Sequence, residues 1–325
     1  MSITHDPTSG TPDRTLVSRR RLLGAGAAGA GAVALGACAD DGPNLPAEGE
    51  IVSVRTPSVP RRDPASPLWD DAPPTVVVLE GQITAPPYRR EPVVADISVR
   101  SLHDRDDVAL LVEWDDPRPD AATVANDGFR DACAVLLGDP AAGEELRFMG
   151  TQQHPVTLLQ WKADWQHDVE HGVRTIDDEY PDRSVDAYPP IVTDDPLGIT
   201  PADYVTADAT PWLPGLHVGN LLSAPTRTRC VEKMIAYGFG TTTTTDTQDA
   251  DGWGRHDGGR WAVVVTKPLA AHDAGELHLR PRGSATCAFA VWSGADGDAG
   301  GRKSVSTRTY RLVLREAHGP SPFPS

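Results

Sequence analysis

The sequence contains few residues of several types, and each shortage excludes a class of protein. Its 325 residues include four cysteines, three methionines and 6% aromatic side chains. Lysine and arginine number 30 against 46 aspartate and glutamate residues, which gives a formal net charge of −16. Because nucleic-acid phosphates repel an acidic chain, we predict no nucleic-acid partner. The 30 glycines and 30 prolines favour turns and exclude a helical bundle.

Motifs for common catalytic and metal sites are also missing. No GxSxG, HExxH or P-loop pattern occurs, and the cysteines form no CxxC zinc pair. We therefore predict a non-catalytic protein. Cys133 and Cys287 lie in apolar, strand-like runs, which favours core thiols, with a disulfide between them as the alternative.

The N-terminus has the features of a lipoprotein signal peptide. The basic segment 18–21 precedes an uncharged Ala- and Gly-rich stretch from Gly24 to Ala37. This order is typical of twin-arginine signals, and the stretch is shorter than the roughly 20 residues of a membrane span. Segment 35–38, Leu-Gly-Ala-Cys, resembles a lipobox. We predict that residues 1–38 are the signal, and that acylated Cys38 anchors the exported protein at the outer face of the cytoplasmic membrane, with a periplasmic location as the alternative.

The rest of the chain is predicted to form one β domain behind a tether. Residues 39–66 are rich in Asp, Pro, Ser and Gly, which predicts a flexible tether. Residues 67–316 contain short runs of alternating polar and apolar residues, typical of an all-β, antiparallel β-sandwich. Residues 317–325 are interpreted as a tail. The predicted strands are 75–79, 93–102, 108–115, 132–137, 156–164, 261–269, 285–292 and 307–315.

The alternation stops between Gln166 and Gly240, a stretch rich in Asp, Pro, Tyr and His. Connections of this length are usually functional or disordered, so we expect this insertion to cover a binding site. Within it, Val231 to Tyr237 is predicted as a short helix that ends at Gly238.

Several short motifs, taken in order, resemble one protein family. Together they span about residues 66–315 in the order and spacing of the heme-binding domain of the ethylbenzene dehydrogenase gamma subunit family. That family includes the heme subunits of dimethylsulfide dehydrogenase, selenate reductase and chlorate reductase. The motifs are LWD (68–70), VRSLHD (99–104), VEWDDP (112–117), FMG (148–150), WKADWQ (161–166), GN (219–220), VE (231–232), GFGT (238–241) and GRKSVS (301–306).

The resemblance implies a DOMON-like sandwich, related in outline to immunoglobulin-like domains, that holds one heme b. The heme would be non-covalent, because the CxxCH attachment motif is absent. The chain would transfer electrons beside a molybdopterin catalytic subunit of the type II DMSO reductase family, an iron-sulfur subunit and an external electron carrier. A lipid-anchored module that binds sugar or another small ligand without heme is the alternative.

Met149 is predicted to be one axial ligand of the heme iron. A low-spin heme needs two donors, such as a methionine thioether and a nitrogen of histidine or lysine. Met149 lies in the FMG motif, whereas Met234 lies in the predicted helix. The resemblance implies that the second ligand is a lysine, which can bind iron only if its amine is neutral.

Lys233 is predicted to be that second ligand, because it is the lysine of the irregular insertion. Lys162 and Lys267 fall in strands, and Lys303 falls in the KSVS segment, which is typical of a structural edge. His217, just before the GN motif, is the alternative ligand.

Two arginines near Lys233 are predicted to bind the heme propionates. Propionates prefer cationic hydrogen-bond donors, and Arg227 and Arg229 precede the VE motif.

Overall fold

Short apolar runs form thirteen strands in the part of the chain described by the structure, a computed structural model. The described residues are 47–182, 214–224 and 226–316, so the predicted signal with Cys38 and the predicted tail lie outside them. The strands are β1 (Glu50–Arg55), β2 (Thr75–Gly81), β3 (Asp96–His103), β4 (Asp107–Asp115), β5 (Ala132–Gly138), β6 (Val156–Lys162), β7 (Val231–Ala236), β8 (Thr243–Thr244), β9 (Asp251–Asp257), β10 (Arg260–Pro268), β11 (Ser284–Trp292), β12 (Ser304–Ser306) and β13 (Tyr310–Arg315).

Helices in the described ranges are few and short. They comprise three α-helices, α1 (Ala163–His171), α2 (Ile176–Glu179) and α3 (Pro214–His217), and 3-10 segments in four of the described connections. Within the described ranges, no helix is long and apolar enough to cross a membrane.

The strands form one continuous sheet that closes into two layers. Their order is β8-β7-β6-β5-β11-β12-β2-β3-β4-β10-β9, and neighbours on this path are antiparallel. β1 pairs in parallel with β13 and with β3, so it joins the two halves. The inner faces of both halves contribute to one apolar core. This confirms the predicted, mostly antiparallel β-sandwich.

Three tryptophans from facing strands fill the centre of the core. Trp114, Trp161 and Trp261 lie on β4, β6 and β10, and the ring centroids of Trp161 and Trp261 are 4.9 Å apart in an edge-to-face contact. Gly254 on β9 permits this packing, because a Cβ atom there would lie 2.4 Å from the Trp161 ring. The core is therefore closed and leaves ligand space to the outer faces.

Two segments differ from their predicted structure. Residues 50–55, expected within the flexible tether, form β1, whose backbone is paired on both sides. Residues 231–236, predicted as helix, form β7, which pairs with β6 and is buried throughout. The helix prediction was wrong because the segment is buried on both faces and shows no strand alternation.

The cysteines of the described residues are core thiols. Cys133, Cys230 and Cys287 are free and buried. On the paired strands β5 and β11, Cys133 lies opposite Val291 and Cys287 lies opposite Leu137, so the two sulfur atoms are out of register for a disulfide. Burial raises the pKa of Cys230 to about 12, which keeps it a thiol.

Candidate functional site

A cavity of about 430 Å³ lies on the outer face of the layer that contains β5, β6 and β11. We call it the outer cavity. Side chains alternate along a strand, so residues that point away from the core form its floor. These are Ala134 and Leu136 on β5, Leu158 on β6, and Ala288 and Ala290 on β11. The alanines on the two central strands keep the floor low, which suits a flat apolar ligand.

Met149 reaches the outer cavity from the loop between β5 and β6. It follows the 3-10 segment Pro140–Phe148 and adopts φ 68° and ψ 26°, a left-handed conformation that is uncommon for a residue other than glycine. The amide of Gly238 donates a hydrogen bond of 2.8 Å to its carbonyl. Backbone strain of this kind often marks a functional position. The side chain is half-buried and packs against the apolar cluster that includes Met234.

Lys303 lines the same cavity from the segment just before β12. Its Nζ atom lies 4.7 Å from the ring centroid of Trp292. Within the described ranges it has no ion pair and its amine makes no hydrogen bond, and burial lowers its pKa to about 8. A neutral amine is therefore accessible near physiological pH, which is the state that can bind a metal.

The segment that carries Lys303 is held by Gln82, which is buried. The backbone N–H of Gln82 donates to the carbonyl of Lys303 at 3.1 Å, and its side-chain Nε2 donates to the carbonyl of Gly301 at 2.6 Å. These bonds fix the backbone on either side of Arg302 and so limit where the amine can lie.

Lys233 does not line the outer cavity. It lies on β7 between Glu232 and Met234, and its side chain points to the face opposite Met234, which does line the cavity. Its Nζ atom is 2.7 Å from Asp249 and 2.9 Å from Glu276. Burial works to lower its pKa, but hydrogen bonds to carboxylates raise it overall. An ammonium held in this way has no lone pair for iron, so the predicted pairing of Met149 with Lys233 does not fit the structure.

The other predicted site residues also lie outside the outer cavity. His217 ends α3 and is exposed. The Nε atom of Arg227 donates to Asp168 at 2.6 Å, and Arg229 donates to the carbonyl of Ala250 at 3.2 Å. The predicted propionate ligands are therefore occupied elsewhere, because nearby acceptors already bind them.

Two arginines that sequence reasoning missed line the outer cavity, Arg130 and Arg147. Arg147 forms an ion pair with Glu80 and lies 3.8 Å from Glu144. Arg130 forms one contact of 2.7 Å with Asp164. Little in the sequence favoured these two arginines, because the binding site was expected in the irregular insertion and neither of them lies there.

Two phenylalanines form the apolar rim of the outer cavity. Phe148 and Phe239 are exposed, and their ring centroids are 6.2 Å apart in an edge-to-face contact. Phe239 belongs to the irregular insertion, so this part of the insertion does contact the cavity, as expected.

The donor set fits a flat cofactor held by two donor atoms better than a bare metal ion. A thioether and an unpaired amine line one apolar cavity. Among the described residues, no group of three His, Cys, Asp or Glu side chains is arranged to bind a metal ion. A cofactor held by apolar contact and two donors is the chemistry that these residues can supply.

Comparison with known proteins gives the following relatives. A protein of Haloferax mediterranei, named as a heme subunit (ORF7) of a respiratory nitrate reductase, is 20% identical over 256 residues, which is 79% of this chain and 69% of that protein. The chlorate reductase subunit gamma of Ideonella dechloratans is 30% identical over 79 residues, or 24% of this chain and 33% of that protein.

Among solved structures, a family 9 carbohydrate-binding module from Caldicellulosiruptor kristjanssonii in complex with cellotriose matches with 9% identity and a TM-score of 0.39. The match covers 85% of this chain and 98% of that one. The family model described as ethylbenzene dehydrogenase matches residues 66–304. The chain therefore belongs to the ethylbenzene dehydrogenase family.

Proposed function

We propose that the protein is a b-type heme subunit that transfers electrons within an exported molybdopterin oxidoreductase complex. The observation that carries this proposal is the position of the Met149 thioether and the unpaired Lys303 amine in one apolar cavity. Family membership and the names of both relatives, one a heme subunit and one a gamma subunit, support it.

Met149 and Lys303 would bind the heme iron, and Lys303 would take the role first predicted for Lys233. Heme supplies a one-electron redox couple, which needs no bond making by the protein. The floor residues Leu136 and Leu158 would exclude water and hold the cofactor by apolar contact. Among the described residues no cysteine lines the outer cavity, which supports non-covalent heme b.

The chain would act without catalysing a reaction itself. Its partners would be a molybdopterin subunit of the type II DMSO reductase family and an iron-sulfur subunit, and it would exchange electrons with an external carrier. The basis is that both relatives are named as subunits of reductases. Export by the twin-arginine pathway and a lipid anchor at Cys38 rest on segments 18–21 and 35–38.

A heme reconstitution experiment tests the proposal. Apoprotein mixed with ferric heme should give a low-spin b-type spectrum, and acidic acetone should extract the heme because no covalent bond holds it. Met149→Ala and Lys303→Leu should each lose the six-coordinate low-spin spectrum. His217→Ala is the control and should keep it, since His217 is exposed and outside the cavity. Folded protein that does not take up heme would refute the proposal.

The sugar-binding alternative has less support. A sugar site of this kind would need an exposed platform of aromatic rings, but the exposed rings at the outer cavity are Phe148 and Phe239 in edge-to-face contact, and no tryptophan of the described ranges is exposed. Trp253 is half-buried, and the buried ones are Trp69, Trp114, Trp161, Trp165, Trp261 and Trp292.

The proposed anchor has its own test. Cys38→Ala should release the mature protein from the membrane fraction. Retention of this variant after a salt wash would contradict lipidation at Cys38.

A further inference from the structure

A smaller cavity of about 160 Å³ adjoins the outer cavity. The two cavities share four lining residues, so they meet at one junction. Arg130 and Gln160 are the polar members of this junction, and Trp292 and Gly300 complete it. The floor of the outer cavity is apolar, and the polarity therefore changes at this place.

Arg130 has hydrogen-bond donors to spare. It lies just before β5, and its Nη1 atom donates to Oδ2 of Asp164 at 2.7 Å. Asp164 is fixed in turn by the hydroxyl of Thr123 at 3.1 Å. A guanidinium carries five N–H donors, and within the described ranges its side chain makes no other hydrogen bond. The contact with Asp164 therefore positions the guanidinium and leaves most of its donors free.

Gln160 adds a second donor at the same junction. It lies on β6 two residues after Leu158, so both side chains point towards the outer cavity. The Gln160 side chain is half-buried, and its amide has no hydrogen-bond partner among the described residues. A half-buried amide without a partner favours a polar ligand group, because hydrogen bonding offsets its desolvation.

Arg147 provides the contrast within the same cavity. It is bound by Glu80 and lies near Glu144, and it does not line the smaller cavity. The aromatic rim residues Phe148 and Phe239 also line only the outer cavity. Of the two arginines, the one with free donors therefore lies at the junction, and the two rim phenylalanines lie outside it.

We propose that the junction is a carboxylate-binding subsite in which Arg130 and Gln160 bind the propionate edge of the heme. A guanidinium and an amide can donate together to one carboxylate, and hydrogen bonds to a charged acceptor are the stronger kind. The apolar edge of the heme then lies towards Phe148 and Phe239. This inference rests on the proposed function and replaces Arg227 and Arg229 as propionate ligands.

The test compares heme with heme dimethyl ester, which has the same ring and iron but no ionised carboxylates. The full chain as apoprotein is titrated with each, and the dissociation constants are measured from the absorption spectrum. Wild-type protein should bind heme about tenfold to a hundredfold more tightly than the ester. Arg130→Gln should lose most of this preference while the low-spin spectrum is retained, and Gln160→Leu should lose a smaller part.

Arg147→Gln is the matched control and should keep the preference for heme over the ester. Arg130→Lys guards against a folding defect, because it keeps the charge beside Asp164 but loses the planar guanidinium; it should fold and show an intermediate preference. Equal affinity of wild-type protein for heme and ester would overturn the subsite and leave the proposed function intact. Failure to bind either compound would overturn the proposed function itself.

Discussion

Lysines occupy two different buried environments in this sandwich. Lys233 is completely inaccessible and lies in a cluster of opposite charges, yet its pKa is raised. Lys303 is half-buried beside Trp292, has no charged partner among the described residues, and its pKa is lowered to about 8. The comparison teaches that burial alone does not set the pKa of a lysine: three carboxylates outweigh desolvation at Lys233, and Lys303 has no carboxylate to do so among the described residues.

The first environment is a carboxylate cluster made of Lys233, Lys267, Asp249, Asp273 and Glu276. Nζ of Lys233 is within 3.1 Å of all three carboxyl groups, and Nζ of Lys267 is 3.3 Å from Glu276. Two ammonium groups face three carboxylates, so each charge depends on its neighbours. The cluster is therefore a structural device that joins β7 and β10 to the loops that follow β8 and β10.

Lys162 is a third case, in which one carboxylate does not outweigh burial: desolvation lowers the pKa of Lys162 overall, although the ion pair with Glu232 raises it. It forms a buried ion pair with Glu232, and its Nζ atom lies 3.9 Å from the ring centroid of Trp165. Both Lys162 and Lys303 thus contact a tryptophan, but Lys162 also has a carboxylate. Three of the four lysines have such a partner in the described ranges, and Lys303 does not.

The largest expected effect is the loss of stability in Lys233→Leu. The substitution leaves the three carboxylates with too few counterions, and removal of one partner from a buried charged group typically costs about 3–5 kcal/mol. Urea unfolding of the apoprotein at pH 7 measures this free energy. Lys303→Leu is the matched control, because the same replacement removes no ion pair.

The same variant also tests the assignment of the ligand. If Lys233→Leu folds, it should still bind heme with a low-spin spectrum. A low-spin spectrum that is lost in Lys233→Leu and kept in Lys303→Leu would reinstate the first prediction. An unchanged unfolding midpoint would mean that the carboxylate cluster does not stabilise the fold.

The second prediction is that Lys303→Leu stabilises the apoprotein at pH 7. The pKa of Lys303 is about 8 in the folded state, against about 10.4 in an unfolded chain. Between these values the unfolded state binds more protons, so this lysine destabilises the fold below pH 8 and ceases to do so above about pH 10. Converted in full, this difference in pKa would correspond to about 3 kcal/mol in the free energy of unfolding. Because the Lys303 side chain is partly exposed to solvent, we expect Lys303→Leu to gain about 1–2 kcal/mol.

Urea unfolding at pH 7 and at pH 10 measures the gain. The difference between Lys303→Leu and wild type should be present at pH 7 and small at pH 10. A variant that is less stable than wild type at pH 7 would show that the ammonium form has a partner in solution.

Much of the fold could be predicted because local patterns carry it. The eight predicted strands correspond to β2 to β6, β10, β11 and β13, which are alternating runs, such as β2 and β13, or continuous apolar runs, such as β5 and β11. β1 and β7 could not be recognised in this way. β1 pairs in parallel with strands far away in sequence, and β7 is buried on both faces, so neither shows a periodic pattern.

The site residues could be predicted only in part, because contacts between residues distant in sequence decide which lysine is free to bind a cofactor. Met149 was found from the FMG motif and lines the outer cavity. Lys233 was chosen for its place in the irregular insertion, but its carboxylate partners are 16 to 43 positions further along the chain. One local signal did favour Lys303, since no acidic residue lies within four positions of it, whereas Glu232 precedes Lys233.

The smallest expected effect concerns the pH dependence of heme affinity. An amine that binds iron must first lose its proton, and the pKa of Lys303 in the apoprotein is about 8. Below that value, each fall of one pH unit should weaken heme binding by up to tenfold, or about 1.4 kcal/mol, and above it the affinity should level off.

Heme titrations of wild type between pH 6.5 and pH 9.5 (roughly one and a half units on either side of this pKa) measure the dependence. Lys303→Leu should bind heme more weakly and without this slope. Lys303→His should show almost no slope in this pH range, because imidazole has a lower pKa of about 6.5 and is mostly neutral above it. The heme propionates and the carboxylate cluster are present in all three proteins, so a slope that follows the residue at position 303 belongs to that residue. If all three proteins show the same slope, the proton that is released on heme binding belongs to another group. Lys303 would then not be an iron ligand, because a lysine must lose its proton before it can bind the metal.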